Sequence, residues 1–187
     1  MITHILAAIA FGFLLISISY RHALLLKKAA KSTAFFISLL FAVFVAGMTY
    51  LALIFTAAIK DTMFFMPAIA TIIILLVLSF KAYFNTRRSK LADALFDIKT
   101  PKIVIPFAVA TSVEAVLADS GTGFLQPDKW IALAISGGTA FIFMWFGFVA
   151  GNRPNAIKNI RVFIHFASIV YILAALSTLL YIFIFEA

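Results

Sequence analysis

The polar residues of this chain are gathered into short segments that separate six long apolar runs. Each run has about the 20 residues that a helix needs to cross the hydrocarbon core of a bilayer. A backbone in lipid must satisfy its own hydrogen bonds, so each run is predicted to be helical, even though Phe and Ile are frequent in them. The predicted spans are Ile2–Tyr20, Thr33–Ile59, Thr62–Phe84, Ile103–Leu125, Trp130–Ala150 and Ile160–Phe185.

The composition indicates an all-α membrane protein. Of the 187 residues, 65% are hydrophobic and 12% are charged, which is more apolar surface than a soluble domain of this length can bury. Cysteine is absent, and this excludes disulfides, thiolate metal sites and thiol redox relays. The first apolar run lacks a basic segment before it, so we interpret it as a retained helix rather than a signal peptide.

The basic residues predict the orientation in the membrane. The net charge is +8. Of the 15 Lys and Arg residues, 13 lie in or beside the connections between runs one and two, three and four, and five and six, whereas Lys60 and Lys129 lie in the other two connections. The positive-inside rule makes the basic side cytoplasmic and places both termini outside. These charges therefore indicate topology rather than nucleic-acid binding.

The number of spans predicts two inverted repeats. Three spans precede a basic linker and three follow it, so the two halves enter the membrane with opposite orientations, as in many transporters with a site near the membrane midplane. We assign residues 1–84 to the first three-helix repeat, 85–102 to a cytoplasmic linker and 103–187 to the second repeat. A faint similarity between Ala10–Ile16 and Ala108–Glu114 places Ile16 opposite Glu114.

Two acidic residues, Glu114 and Asp119, fall within the predicted spans. A carboxylate near mid-bilayer costs about 2.5–3.5 kcal/mol, which favours a functional role. Glu114 shares a helix face with small and polar residues, so we expect it to face the inside of the bundle. It would then serve transport or proton relay, or alternatively be a structural carboxyl bonded to a neighbouring helix.

Asp119 lies about 140° round the helix from Glu114 and nearer the outer surface. It is interpreted either as a hydrated residue near the helix end or, if residues 119–123 unwind, as a second cation ligand beside exposed carbonyls. Single histidines near helix ends, including His4 and His165, are expected to be interfacial. Gly147 and Gly151 form a GxxxG pattern that allows close approach of two helices.

Several segments carry a resemblance to a known family. They are Ala110–Val116, Gly123–Gln126, Ser136–Ala140 and Gly147–Gly151. Together they resemble the second half of the small manganese-efflux (MntP-type) family of the lysine-exporter superfamily. The hallmark of that family is Thr-Ser-hydrophobic-Asp-Ala, and Glu114 stands at the position of the Asp. The resemblance implies a metal-facing carboxylate at Glu114, with Thr111 and Ser112 beside it. It also implies an integral protein of a bacterial plasma (inner) membrane.

The first half departs from that family. Ile16 stands where the family has an Asp, and Phe41–Phe55 offers only Gly47, Met48 and Thr49 in place of an acidic residue and a glycine-rich run. Asp119 replaces a glycine that follows the hallmark motif.

These observations predict a secondary transporter that exports a small cation, with Mn²⁺ as the leading candidate and proton exchange through Glu114. Mn²⁺ prefers oxygen ligands, so Glu114 and Asp119 are the predicted metal ligands. The predicted ion-binding hydroxyls are those of Thr111, Ser112, Ser136 and Thr139. The expected partners are membrane lipid and the transported cation, without a resident cofactor, and an oligomer is left open.

Two other functions were weighed against export. A diverged scaffold that keeps the fold without transporting is favoured by Ile16 and opposed by the cost of Glu114. A membrane enzyme built on Ser112 or Ser136 with His165 lacks an oxyanion motif, so we predict that the protein is not an enzyme.

Overall fold

The computed structural model describes residues 1–25, 31–59, 67–88, 101–125, 127–152 and 161–185. These residues form six helices, and no strand occurs among them. Each helix is long and apolar enough to cross a membrane, so the prediction of an all-α protein with six spans is confirmed. The helices are α1 (Ile2–Leu25), α2 (Lys31–Ile59), α3 (Pro67–Arg88), α4 (Pro101–Gly123), α5 (Lys129–Gly151) and α6 (Arg161–Phe185).

Helices α3 and α4 extend into the segment 85–102 that the sequence assigns to the linker. Helix α3 continues to Arg88, and α4 begins at Pro101. Lys81, one of the basic residues counted for the orientation, lies within α3, and residues 89–100 fall outside the described residues. Asp128 caps the start of α5 by accepting a hydrogen bond from the backbone N–H of Ile131, which satisfies one of the unpaired donors of that helix end.

Helices α1 and α4 form the centre of the bundle. They contact each other, and α1 also packs against α5 and α6, while α4 packs against α2 and α3. Two further pairs complete the bundle, α2 with α5 and α3 with α6. Small buried residues allow this close packing, among them Ala7, Ala10, Ala108, Ala115, Ala118 and Ala132.

The GxxxG pattern of α5 rests directly on α1. A Cβ atom added to Gly147 would lie 2.9 Å from the carbonyl oxygen of Ile16 and would overlap the hydroxyl of Ser19. One added to Gly151 would lie 2.8 Å from the carbonyl oxygen of Tyr20. The two backbones approach closely because these positions carry no side chain, as the sequence predicts.

The pairing of helices is symmetric between the two halves. If α1, α2 and α3 are renamed α4, α5 and α6 and the reverse, the same pairs of helices are in contact. This is compatible with two inverted repeats, which remain a prediction. Two of the interfaces that this renaming relates are not equally tight, because α6 packs extensively on α1 whereas α3 touches α4 more sparsely. An apolar groove of about 770 Å³ lies between α2, α3 and α4 on that looser side.

Candidate functional site

Asp119 is the buried acidic residue of the bundle. Helix α4 stays regular through Gly123, so the structure does not contain the unwound segment that was considered for residues 119–123. The side chain is also not hydrated at a helix end, because the residue is only 2% exposed. Both interpretations of Asp119 from the sequence are therefore wrong about its surroundings.

Polar groups from three other helices converge on this carboxylate. Thr49 of α2 donates a hydrogen bond to Asp119 Oδ2, and Ser136 of α5 donates one to Oδ1 over 3.3 Å. His4 of α1 places its Nδ1 atom 3.7 Å from the same Oδ1. Asp119 thus lies where α1, α2, α4 and α5 meet.

His4 is buried in this site instead of lying at the membrane interface, where the sequence placed it. It is 1% exposed, and its Nδ1 lies 2.8 Å from Thr122 Oγ1. Its Nε2 lies 3.3 Å from the carbonyl oxygen of Ala132 and 3.2 Å from Ser136 Oγ. We call Asp119, His4, Thr49, Thr122 and Ser136 the Asp119 cluster.

The Asp119 cluster is closely packed. The gap beside Asp119 and Ser136 is too small to hold a water molecule. Its other walls are Ala7, Ala8, Phe11, Val45, Ala115 and Ala118. Because buried polar groups need partners, the hydroxyls and the imidazole take the role that water would take around an exposed carboxylate.

Glu114 has different surroundings. Its carboxylate forms an ion pair with Lys81 of α3, and the two side chains are 23% and 46% exposed, respectively. Glu114 therefore faces α3, on the loosely packed side of α4, and not the junction that holds Asp119. The phenol of Tyr171 on α6 is buried within electrostatic range of both carboxylates, and its hydroxyl has no hydrogen-bond partner in the described part of the chain.

The predicted ion-binding hydroxyls do not form one site. Ser136 joins the Asp119 cluster, whereas Thr111 and Ser112 donate to carbonyl oxygens of their own helix, those of Phe107 and Ala108. Among the described residues, Thr139 makes no hydrogen bond to either carboxylate.

Sequence reasoning missed His4, Thr49 and Thr122. Thr49 carried a weak signal, because it is a polar residue near the middle of a mostly apolar span that also has Ser38 and Thr56 toward its two ends. The position of His4 near the start of the first span gave no such indication, because polar residues at span ends are usually interfacial.

The donor set of the Asp119 cluster consists of one carboxylate, one imidazole and several hydroxyl and carbonyl oxygens. No group of three His, Asp or Glu residues that could hold a metal ion occurs in the described ranges. The cluster can therefore contact a cation through mixed oxygen and nitrogen atoms, but it lacks the several carboxylates of a dedicated tight metal site.

Comparisons with known proteins agree with this architecture. Residues 28–178 match the family model described as "Putative manganese efflux pump". The chain is also 25% identical over 155 residues to a "Putative manganese efflux pump MntP" of Aliarcobacter butzleri (strain RM4018), which covers 83% of this chain and 86% of that protein. No solved structure matches the chain. With six membrane-length helices and a family match over most of its length, the chain is an integral membrane protein that belongs to the MntP family of manganese efflux pumps.

Proposed function

We propose that this protein is a secondary exporter of a divalent metal cation, with Mn²⁺ as its cargo. The observation that carries the proposal is the buried Asp119 carboxylate, on which polar groups from three other helices converge. An acidic residue buried among membrane-spanning helices is expensive and commonly marks an ion pathway. Membership of the MntP family and the name of the Aliarcobacter relative support manganese as the cargo.

In this proposal the closely packed cluster is the closed arrangement of the ion site. Thr49, Ser136 and His4 satisfy the carboxylate when no cation is bound. A cation reaches Asp119 when these helices separate, and it takes over the contacts that the hydroxyls and the imidazole make. Transporters commonly open a central site by moving one group of helices against another, first to one side and then to the other.

We further propose that proton exchange runs through Glu114, the residue at the position of the family's Asp. Its carboxylate faces Lys81, so a proton or a cargo ion that binds Glu114 takes the place of the ammonium group. The ion pair therefore keeps Glu114 neutralised between transport steps. Dissipating the proton gradient should stop metal efflux if this exchange drives it.

The proposed orientation has both termini outside and residues 85–102 in the cytoplasm of a bacterial inner membrane. It is supported by the asymmetric distribution of Lys and Arg. Single cysteines can be introduced at Lys90 and Asp128 because the chain has no native cysteine. An impermeant thiol reagent added to intact cells should label position 128 and spare position 90, and the reverse pattern would invert the topology.

A non-transporting scaffold is the second candidate. The observation that favours it is the closely packed cluster, in which the polar groups already satisfy one another without space for water. In that case Asp119 would be a structural residue that fixes the arrangement of four helices.

The deciding experiment is a transport assay with the purified protein in liposomes that enclose a Mn²⁺-sensitive dye. We expect Mn²⁺ to cross the membrane with the wild-type protein and its movement to be lost with Asp119→Asn. Asp128→Asn is the matched control, since it makes the same chemical change at an exposed helix cap where Asn serves as well as Asp. If the wild-type protein moves no divalent cation, the scaffold function replaces the exporter.

A further inference from the structure

We infer that His4 is a cation ligand of the Asp119 cluster and that it directs the site toward divalent transition metals and away from Mg²⁺ and Ca²⁺. The inference rests on the proposed function for the identity of the cargo. It begins from the burial of His4 in the first turn of α1, where both ring nitrogens face polar atoms of α4 and α5.

The distance between His4 and Asp119 fits a shared ion. The 3.7 Å between His4 Nδ1 and Asp119 Oδ1 is too long for a hydrogen bond. Two ligands that each lie about 2.1 Å from one metal ion are separated by roughly 3.0–4.2 Å, depending on the angle between them. The spacing therefore lies within the range found for two ligands of a single cation, which can enter between them once the helices separate.

Ser136 supplies a further oxygen beside Asp119. Its hydroxyl lies 3.3 Å from Asp119 Oδ1 and 3.2 Å from His4 Nε2, which is not the ring nitrogen that faces the carboxylate. Thr49 contacts the other carboxylate oxygen from α2. A cation that binds here can take ligands from α1, α2, α4 and α5. Its binding and release therefore change contacts in both halves of the bundle.

His4 also supplies a ligand from the helix whose family carboxylate is missing. Ile16 is buried in α1 at the position where the family resemblance implies an Asp, and it can contribute no ligand. His4 is twelve residues earlier on the same helix and reaches the ion site from it. The first half thus contributes an imidazole nitrogen to the Asp119 cluster, about 18 Å along α1 from Ile16.

The change of ligand has a consequence for selectivity. Imidazole suits Fe, Ni, Cu and Zn, whereas Mg²⁺ and Ca²⁺ take oxygen ligands, a preference that Mn²⁺ shares although it also stands at the weak end of the transition-metal affinity order. For a site with a nitrogen ligand, affinity rises from Mn²⁺ through Fe²⁺ to Co²⁺. The cluster is therefore expected to bind Mn²⁺ and to bind Co²⁺ more tightly, while discriminating against Mg²⁺.

The test is a Co²⁺ titration of the purified, detergent-solubilised full chain, followed by visible absorption and X-ray absorption spectroscopy. We expect one bound Co²⁺ with imidazole nitrogen in its coordination shell, displaced by Mn²⁺ and not by Mg²⁺. His4→Gln should weaken Co²⁺ binding roughly 10–100-fold, the range known for loss of groups that support a metal, and should leave Mg²⁺ binding unchanged. His165→Gln is the matched control, because His165 lies on the exposed surface of α6.

The outcomes separate this inference from the proposed function. Co²⁺ bound with imidazole but without transport by any variant would overturn the exporter and support His4 as a ligand. Transport whose preference for Co²⁺ over Mg²⁺ is the same in His4→Gln would overturn the inference and leave the exporter standing. A wild-type spectrum without nitrogen ligands also overturns it, and this result needs no variant to fold.

Discussion

Glu114 and Asp119 lie five residues apart on one helix, yet they occupy opposite kinds of environment. Asp119 is 2% exposed and satisfied by hydroxyls and an imidazole from three helices. Glu114 is partly exposed and paired with one lysine on the loosely packed side of α4. Glu114 lies nearer the middle of the span than Asp119 does. Asp119 is nevertheless the more buried residue, because it projects from a different side of the helix.

The difference follows from the helices that surround α4. Glu114 contacts α3 through Lys81, whereas Asp119 contacts α1, α2 and α5. A separation of five residues turns a side chain by about 140°, which is enough to move it from one set of neighbours to another. Depth in the membrane is therefore a poor guide to which carboxylate the bundle encloses.

The largest expected effect compares the two carboxylates directly. Asp119→Asn keeps the size of the side chain but removes the charge that attracts a cation, so Mn²⁺ affinity should fall by on the order of 100-fold or more, the upper end of the loss seen when a supporting partner is removed. Glu114→Gln should affect binding less and should remove the dependence of efflux on the proton gradient. Both are measured as Mn²⁺ affinity and transport rate in liposomes.

A larger loss of Mn²⁺ affinity in Glu114→Gln than in Asp119→Asn would reverse the comparison. The ion site would then lie at Glu114, which stands at the position of the Asp in the family hallmark.

The second prediction tests whether close packing of α5 on α1 maintains the geometry of the Asp119 cluster. Gly147→Ala places a methyl group against Ser19 and the Ile16 carbonyl, and such overpacking costs about 1–3 kcal/mol. We expect a lower unfolding temperature and weaker Mn²⁺ binding, because His4 and Ser136 shift from Asp119. Gly138→Ala is the matched control on the same helix, since a Cβ there meets nothing within 4 Å. Equal stability of the two variants would mean that the contact of α5 with α1 does not hold the cluster.

The smallest expected effect concerns the ion pair between Lys81 and Glu114. Lys81→Met leaves the Glu114 carboxylate without its partner inside a span, while the half-exposed pair itself contributes only about 1 kcal/mol or less. The single variant should be slightly less stable in thermal unfolding, and Lys81→Met combined with Glu114→Gln should regain that stability. If the double variant is as unstable as the single one, Lys81 supports α3 through its aliphatic chain rather than through the ion pair.

The sequence by itself determined the number of helices, the approximate bounds of each and the close approach at Gly147 and Gly151. Each of these depends on a property read along the chain, namely the length of an apolar run, the absence of a side chain or the spacing of small residues. Ser136 could also be anticipated as part of the site, because the family resemblance covers its segment.

Only the tertiary structure decided which polar groups meet. His4, Thr49 and Asp119 come from three different helices, and no spacing within the chain relates them. Their meeting depends on the rotation of each helix about its axis and on the choice of neighbours, which arise from packing of the whole bundle. For the same reason Lys81 counted as a topology signal in the sequence, although in the folded protein it is the partner of Glu114.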